Sequence, residues 1–140
     1  MTAIPDELIV AYRATHYRVC LPEGDITLRV DAYCEPLAKL HTLHGVGSSA
    51  FITAWNPYSR RASQQENIIA LQALLFELNA LGLRWINGEG EAPSGEWPAE
   101  PSLLVLGVDH QSAQDIAMQF RQNAFLFCAA DAVPRLVLTR

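Results

Sequence analysis

Lysine and cysteine are scarce in this sequence, and it has no long apolar run. One of the ten basic residues is a lysine and nine are arginines, while fifteen residues are acidic, which gives a formal charge of −5. A surface that binds duplex nucleic acid needs clustered basic residues to neutralise phosphates, so this balance argues against such a partner. No apolar stretch approaches the roughly 20 residues that a membrane-spanning helix requires, so no membrane association is expected.

The three cysteines are odd in number and show no C-x-x-C spacing; they are Cys20, Cys34 and Cys128. The first seven residues lack the basic region and apolar run of a signal peptide. Both observations favour a cytoplasmic protein with reduced thiols. With half of its residues apolar and 18% charged, the 140-residue chain has the composition of a globular protein, and its length suits a single domain spanning residues 1–140.

The most clearly defined element is a long helix predicted at residues 63–81. Ser63 followed three residues later by Glu66 is the capping-box pattern. Leucines then recur at helical spacing, and Gly82 stands where a left-handed helix end is expected. A short helix from residue 5, with Leu8, Ile9 and Tyr12 on its buried face, and a hairpin of residues 17–21 and 26–30 precede this region.

From residue 50 onward the predicted order is strand, helix, strand, strand, helix, strand, with one more strand appended. This is the order of a split βαβ unit, also called ferredoxin-like. The sequence therefore predicts an α+β fold with a ferredoxin-like core, extended at its N-terminal side by a helix and a β-hairpin.

A polar loop joins the strand predicted at residues 50–55 to the long helix. Asn56 precedes Pro57, and proline both removes a ladder donor and disfavours helix at the residue before it. Arg60 and Arg61 follow, close to the helix start. A helix start attracts anions, and two arginines there are unfavourable by about a few tenths of a kcal/mol each unless a negative group pairs with them.

Two interpretations of this loop are open. In the first, a phosphate or carboxylate is held by Arg60 or Arg61 together with Ser59 and backbone N–H groups. In the second, Asn56 and Ser59 make local turn bonds, and the arginines pair with glutamates of residues 88–101. The candidate ligand-binding residues are Asn56, Ser59, Arg60, Arg61, Asn67, Trp97 and Asn123.

Residues 88–101 form an unusually long predicted loop, with three glycines, three prolines, four glutamates and one tryptophan. Loops of this length in compact domains are usually functional or poorly ordered. Glu89, between two glycines, is the candidate general acid or base, and Trp97 would close over a substrate or cover the core. We also expect at least one loop glutamate to pair with Arg60 or Arg61; the four are Glu89, Glu91, Glu96 and Glu100.

Other chemical motifs are weak. His41 and His44 lie three apart on a predicted helix, but no sequence pattern brings further ligands to them, so no metal site is predicted. Cys128 stands in an apolar strand and fits a core residue better than a nucleophile. The sequence has no Gly-rich phosphate loop and no G-x-S-x-G or H-E-x-x-H motif, and no particular cofactor is implied.

Several segments, in this order and at these separations, resemble one bacterial family, catalogued as domain of unknown function 3293. The resemblance extends from about residue 26 to the end of the sequence. It implies a single cytoplasmic domain and assigns no activity. The segments are residues 50–59, 88–90, 97–98, 100–102, 122–125 and 133–138.

The leading hypothesis is therefore a binding or regulatory module that holds a small anionic ligand, or the acidic group of a partner, at residues 56–61. The alternative is a small enzyme that uses Glu89 as general acid or base beside the same loop.

Overall fold

The computed structural model describes residues 4–95 and 97–140, which form four α-helices and seven strands. A 3-10 turn at Pro57–Ser59 precedes the long helix. In chain order the elements are α1 (Asp6–Ala14), β1 (His16–Val19), β2 (Ile26–Leu28), α2 (Glu35–His44), β3 (Ser49–Ile52), α3 (Gln64–Ala80), β4 (Arg84–Glu91), β5 (Glu100–Leu106), α4 (His110–Gln119), β6 (Ala124–Cys128) and β7 (Pro134–Leu138).

All seven strands belong to one sheet, in the order β2-β1-β4-β5-β3-β6-β7. Every neighbouring pair in it is antiparallel. The predicted α+β class is confirmed. The helix and hairpin that precede residue 35 are present, and the hairpin strands β2 and β1 form one end of the sheet.

The long helix α3 begins as its sequence predicts. Ser63 Oγ accepts the backbone N–H of Glu66 at 3.1 Å, and Glu66 Oε1 accepts the backbone N–H of Ser63 at 3.2 Å. This reciprocal pair is the predicted capping box. Leu74 and Leu78 are fully buried, and Gly82 follows the helix with a φ of 70°.

The two faces of the sheet carry separate apolar clusters because side chains alternate along a strand. On one face Ile52 and Val105 pack with Leu74 of α3 and Ile116 of α4. On the other face Phe51, Leu104 and Leu126 pack with Leu37 of α2. The helices α3 and α4 therefore cover one face, and the N-terminal third of the chain covers the other.

Helix α2 buries a histidine together with its leucines. Leu37 and Leu40 are buried, but Leu43 is 76% exposed, and His41 is buried as well. The His41 Nε2 atom lies 2.7 Å from Ser49 Oγ, so the imidazole has a polar partner inside the core. Burial lowers the pKa of His41, which keeps the ring neutral.

The long loop is shorter than the sequence suggests. β4 continues to Glu91 and β5 begins at Glu100, so residues 92–99 remain as the connection. The cause is a long-range pairing: β1 lies antiparallel to the end of β4, with Val19 opposite Gly88. Backbone hydrogen bonds to β1 keep these glycine-rich residues in a strand, although the sequence predicted a loop.

The residue in the left-handed conformation after α4 is Arg121, with a φ of 55°. The backbone N–H of Arg121 bonds the carbonyl of Met118, and that of Gln122 bonds the carbonyl of Ala117. The helix therefore ends before Asn123, whose side chain is available for another contact.

Among residues 4–95 and 97–140, no helix has the length and apolar character needed to cross a membrane.

Gly88 is required by the close approach of β1 and β3 to β4. A Cβ at this position would lie 2.5 Å from the carbonyl oxygen of Arg18 and 2.9 Å from the Phe51 ring. We expect Gly88→Ala to lower the free energy of unfolding by about 1–3 kcal/mol, as overpacking does elsewhere. The matched control is Gly90→Ala, whose nearest neighbour would be 3.8 Å away. Urea denaturation of the two variants measures the difference, and equal stabilities would contradict this packing argument.

Candidate ligand-binding cavity beneath the first helix

A cavity of about 430 Å³ lies between α1 and the sheet. This volume falls within the range of roughly 300–1,000 Å³ typical of small-molecule sites. Its walls are largely apolar and aromatic, and a few polar groups converge on it. The apolar and aromatic lining includes Leu8, Ala11, Tyr12, Tyr17, Phe51, Pro93, Trp97, Phe125 and Leu136.

Glu100 is the carboxylate that lines this cavity. Its Oε2 atom accepts Trp97 Nε1–H at 2.7 Å and Asn56 Nδ2–H at 2.9 Å. Burial raises the pKa of Glu100, against the opposing effect of these two hydrogen bonds. Two of the predicted ligand-binding residues, Asn56 and Trp97, therefore meet at this one oxygen.

The phenol of Tyr17 faces the same cavity. Its hydroxyl donates to the backbone carbonyl of Tyr12 at 2.6 Å. Burial raises the pKa of Tyr17, and the nearby charges of Tyr12 and Glu100 act in the same direction. The phenol is therefore a neutral group whose proton is already donated to the protein.

Asn56 has a structural role of its own. Its φ is 47°, in the left-handed region that asparagine tolerates better than most residues. Asn56 Oδ1 accepts the N–H of Ala62 at 3.0 Å and Asn67 Nδ2–H at 2.9 Å, while Asn67 Oδ1 accepts the N–H of Asn56 at 2.8 Å. Asn67 does not line the cavity; it holds Asn56, which in turn holds Glu100.

Ser59 and Asn123 both line the cavity and join α1 to the rest of the chain. The Tyr12 hydroxyl lies 2.5 Å from Ser59 Oγ and accepts Asn123 Nδ2–H at 3.1 Å. Asn123 Oδ1 in turn accepts Arg140 Nε–H at 2.9 Å. No residue of α1 is fully buried, so its position over the sheet depends in large part on these hydrogen bonds.

The loop at residues 56–59 is strained. Besides Asn56, both Tyr58 and Ser59 have positive φ angles, of 56° and 58°. Non-glycine residues in this region cost about 1–3 kcal/mol each and cluster at functional sites. The backbone N–H of Tyr58 bonds the carbonyl of Arg121 at 2.7 Å, which helps to hold the loop against the cavity.

Arg60 and Arg61 are exposed, and neither forms an ion pair with a carboxylate within residues 4–95 and 97–140. The Arg61 guanidinium lies 5.7 Å from the centroid of the Trp97 ring, within cation–π range. The backbone N–H groups of Ala62 and Ser63 are already bonded to Asn56 and Glu66 side chains. The capping box bonds the Ser63 and Glu66 N–H groups at the helix start, and no carboxylate of the described residues pairs with the two arginines.

The predicted pairing of these arginines with loop glutamates is wrong for Glu89, Glu91 and Glu100. Glu89 and Glu91 pair with Arg18 on the adjacent strand, at 3.2 and 3.1 Å. Glu100 is turned toward Asn56 and Trp97 instead. Glu96 lies outside the described residues.

Glu89, the predicted catalytic acid, does not line the cavity. Its neighbour Gly90 does, and successive side chains of a strand point to opposite faces, so the Glu89 side chain leaves the sheet on the other side. Glu89 was predicted in a loop beside residues 56–61, but it lies in β4 and outside the cavity lining, and Glu100 is the described carboxylate of the lining.

Sequence reasoning missed Tyr12, Tyr17 and Arg140 as site residues. Tyr12 could have been recognised from the sequence, because a tyrosine within a predicted apolar stripe needs a hydrogen-bond partner for its hydroxyl. Nothing in the sequence indicated Arg140, whose guanidinium carbon lies 4.4 Å from the centroid of the Tyr58 ring.

Within the described residues no three His, Cys, Asp or Glu side chains are grouped as a metal site would require.

One comparison with known proteins gives a match. The family model described as Protein of unknown function (DUF3293) matches residues 52–125, just over half of the chain. No curated protein and no solved structure matches it. The matched segment contains Asn56, Ser59, Trp97, Glu100 and Asn123, whereas α1 and β1 lie before it. The predicted resemblance is confirmed over these residues.

The raised pKa of Glu100 gives a pH-dependent prediction. Ionisation is harder in the folded chain than in the unfolded one, so stability is lost as pH rises through the raised pKa. Burial also raises the pKa of its neighbour Tyr17, so that phenol stays neutral. As the pH rises above 4.5, the ordinary pKa of a glutamate, we expect the free energy of unfolding of Glu100→Gln to increase relative to that of the wild type. Urea denaturation at each pH measures the difference, and parallel profiles would refute the assignment.

Proposed function

The chain belongs to the DUF3293 family, and we propose that it is a binding or regulatory module for a small amphipathic molecule. The apolar body of the ligand occupies the cavity beneath α1, and its negatively charged group lies at residues 56–61. One observation carries the proposal: an apolar cavity of ligand size is lined by four of the seven predicted ligand-binding residues, namely Asn56, Ser59, Trp97 and Asn123.

The charges around the cavity support an anionic group on the ligand. Arg61 lies over Trp97, and Arg140 bonds Asn123, so two guanidinium groups contact side chains that line the cavity. Arg60 adjoins Ser59 and has no ion pair among the described residues. A guanidinium binds a carboxylate or phosphate through two parallel hydrogen bonds, and such a ligand would offset the unfavourable positions of Arg60 and Arg61 near the start of α3.

A small molecule fits these features better than an acidic group on a partner protein. An acidic group on a partner protein could pair with the exposed arginines, but it would leave the cavity without a role. An amphipathic ligand would occupy the cavity and pair with the arginines.

The enzyme alternative is supported by Glu100 rather than by Glu89. A cavity-lining carboxyl with a raised pKa and a fixed orientation has the properties of a general acid or base. Among the described lining residues no second carboxylate, histidine or cysteine accompanies it. Binding without catalysis therefore uses fewer assumptions.

We also propose a ferredoxin-like core and a cytoplasmic location. The central strands run β4-β5-β3-β6, and α3 carries the chain from β3 over β5 to β4, which supports the split βαβ arrangement. All three cysteines are free, which supports a reducing compartment.

A matched pair of variants tests the binding proposal. Indole-3-propionate, an apolar acid, should raise the melting temperature of the wild type, and Arg60→Ala with Arg61→Ala should remove most of the shift because the anion loses its partners. Arg29→Ala is the control, since Arg29 is equally exposed, forms no ion pair within the described residues and lies outside the cavity lining. An undiminished shift in the double variant would show that these arginines hold no anion.

A further inference from the structure

The two oxygens of the Glu100 carboxylate are in different situations. Oε2 accepts both protein donors, from Trp97 and Asn56. Oε1 has no hydrogen bond or ion pair within the part of the chain that the structure describes. In that same part, every fully buried side-chain nitrogen or oxygen has a partner. Oε1 therefore keeps accessible surface, on a residue that lines the cavity.

Three hydroxyl groups of the lining donate their hydrogens to backbone carbonyls and not to Oε1. Thr53 Oγ1–H donates to the carbonyl of Pro101 at 2.7 Å. Ser102 Oγ–H donates to the carbonyl of Glu100 at 3.0 Å, and Tyr17 Oη–H donates to that of Tyr12. Oε1 is thus an acceptor without a protein donor in the described residues, and a ligand can bring the donor.

Opposite charges flank Trp97. Its indole N–H bonds Glu100, while its ring face carries Arg61. Glu100 lies in the cavity wall, whereas Arg61 and Arg140 are positive groups beside side chains of the same lining. A ligand that spans this arrangement meets a negative group at one point and positive groups at another.

We propose that the ligand is an apolar zwitterion of the amino-acid class, whose ammonium group binds Glu100 Oε1 and whose carboxylate binds the arginines. This inference rests on the proposed function, which supplies the acidic group, and adds the amine and the residue that recognises it. A cation at Oε1 also offsets the burial of the Glu100 charge, which a neutral or purely acidic ligand would not do.

Three probes with the same ring system separate the contributions: tryptophan carries both charged groups, indole-3-propionate the acid alone and tryptamine the amine alone. In isothermal titration calorimetry of the wild-type chain we expect tryptophan to bind at least tenfold more tightly than either of the others. A charge-assisted hydrogen bond of about 1.5–3 kcal/mol corresponds to at least this factor. Equal binding of tryptophan and indole-3-propionate would overturn the inference and leave the proposed function standing. Failure of all three to bind would overturn both.

Glu100→Gln tests the residue with little change in shape. The amide oxygen can accept from Trp97 and Asn56 as Oε2 does, which places the amide NH₂ at the position of Oε1. The open acceptor thereby becomes a donor. We expect the variant to lose at least tenfold in affinity for tryptophan and tryptamine but to keep its affinity for indole-3-propionate.

The control is Glu91→Gln, which removes a carboxylate that pairs with Arg18 outside the cavity, and it should bind all three probes as the wild type does. Unchanged binding of tryptophan to Glu100→Gln would refute the assignment. A uniform loss for all three probes would also refute it, because a merely structural role of Glu100 predicts that pattern.

Discussion

The arrangement of the cavity depends on the Glu100 carboxylate and its two hydrogen bonds. One oxygen joins the start of β5 to Asn56, after β3, and to Trp97, in the connection between β4 and β5. Asn56 lies 44 positions before Glu100 in the sequence, so this carboxylate ties the loop after β3 to the connection between β4 and β5. A half-buried acid is unfavourable unless its hydrogen bonds are made, so the same bonds that order the loops keep the acid beside the cavity.

The N-terminal helix α1 and one face of the sheet enclose the cavity between them. β1 extends the sheet beside β4, and α1 lies over the aromatic pair of Tyr17 and Phe51, whose rings make an edge contact at 5.4 Å. Because α1 buries no residue fully, the space beneath it is incompletely filled. Polar contacts of Tyr12 with Ser59 and Asn123 hold the helix at this distance.

Features with local causes could be predicted from the sequence. The capping box of Ser63 and Glu66, the position of Gly82 and the apolar spacing of α3 depend on neighbouring residues, and they were found. The polar loop at residues 56–61 was recognised for the same reason. The length of β4 could not be predicted, because its last residues are held by a strand about 70 positions away.

The identity of the cavity acid also depended on tertiary structure. Glu89 and Glu100 are similar in sequence context, each beside turn-forming residues, but strand alternation sends Glu89 to Arg18 and leaves Glu100 facing the cavity. Glu89, Glu91 and Glu100 do not pair with Arg60 or Arg61 for a related reason, since they have partners across the sheet or within the loops. Burial and strand face, which decide the chemistry of these acids, follow from the long-range strand order.

The proposed position of the ligand beside Glu100 is tested most directly by the chemical shift of the Trp97 indole N–H in a ¹H–¹⁵N spectrum. The resonance is assigned with Trp97→Phe and followed during titration with tryptophan. That N–H is bonded to the carboxylate that we place at the ligand. Trp85, which packs on the opposite face of the sheet, supplies an internal reference. The account predicts a saturable shift of the Trp97 resonance with the Trp85 resonance unmoved. A Trp97 resonance that stays in place while tryptophan binds would contradict it.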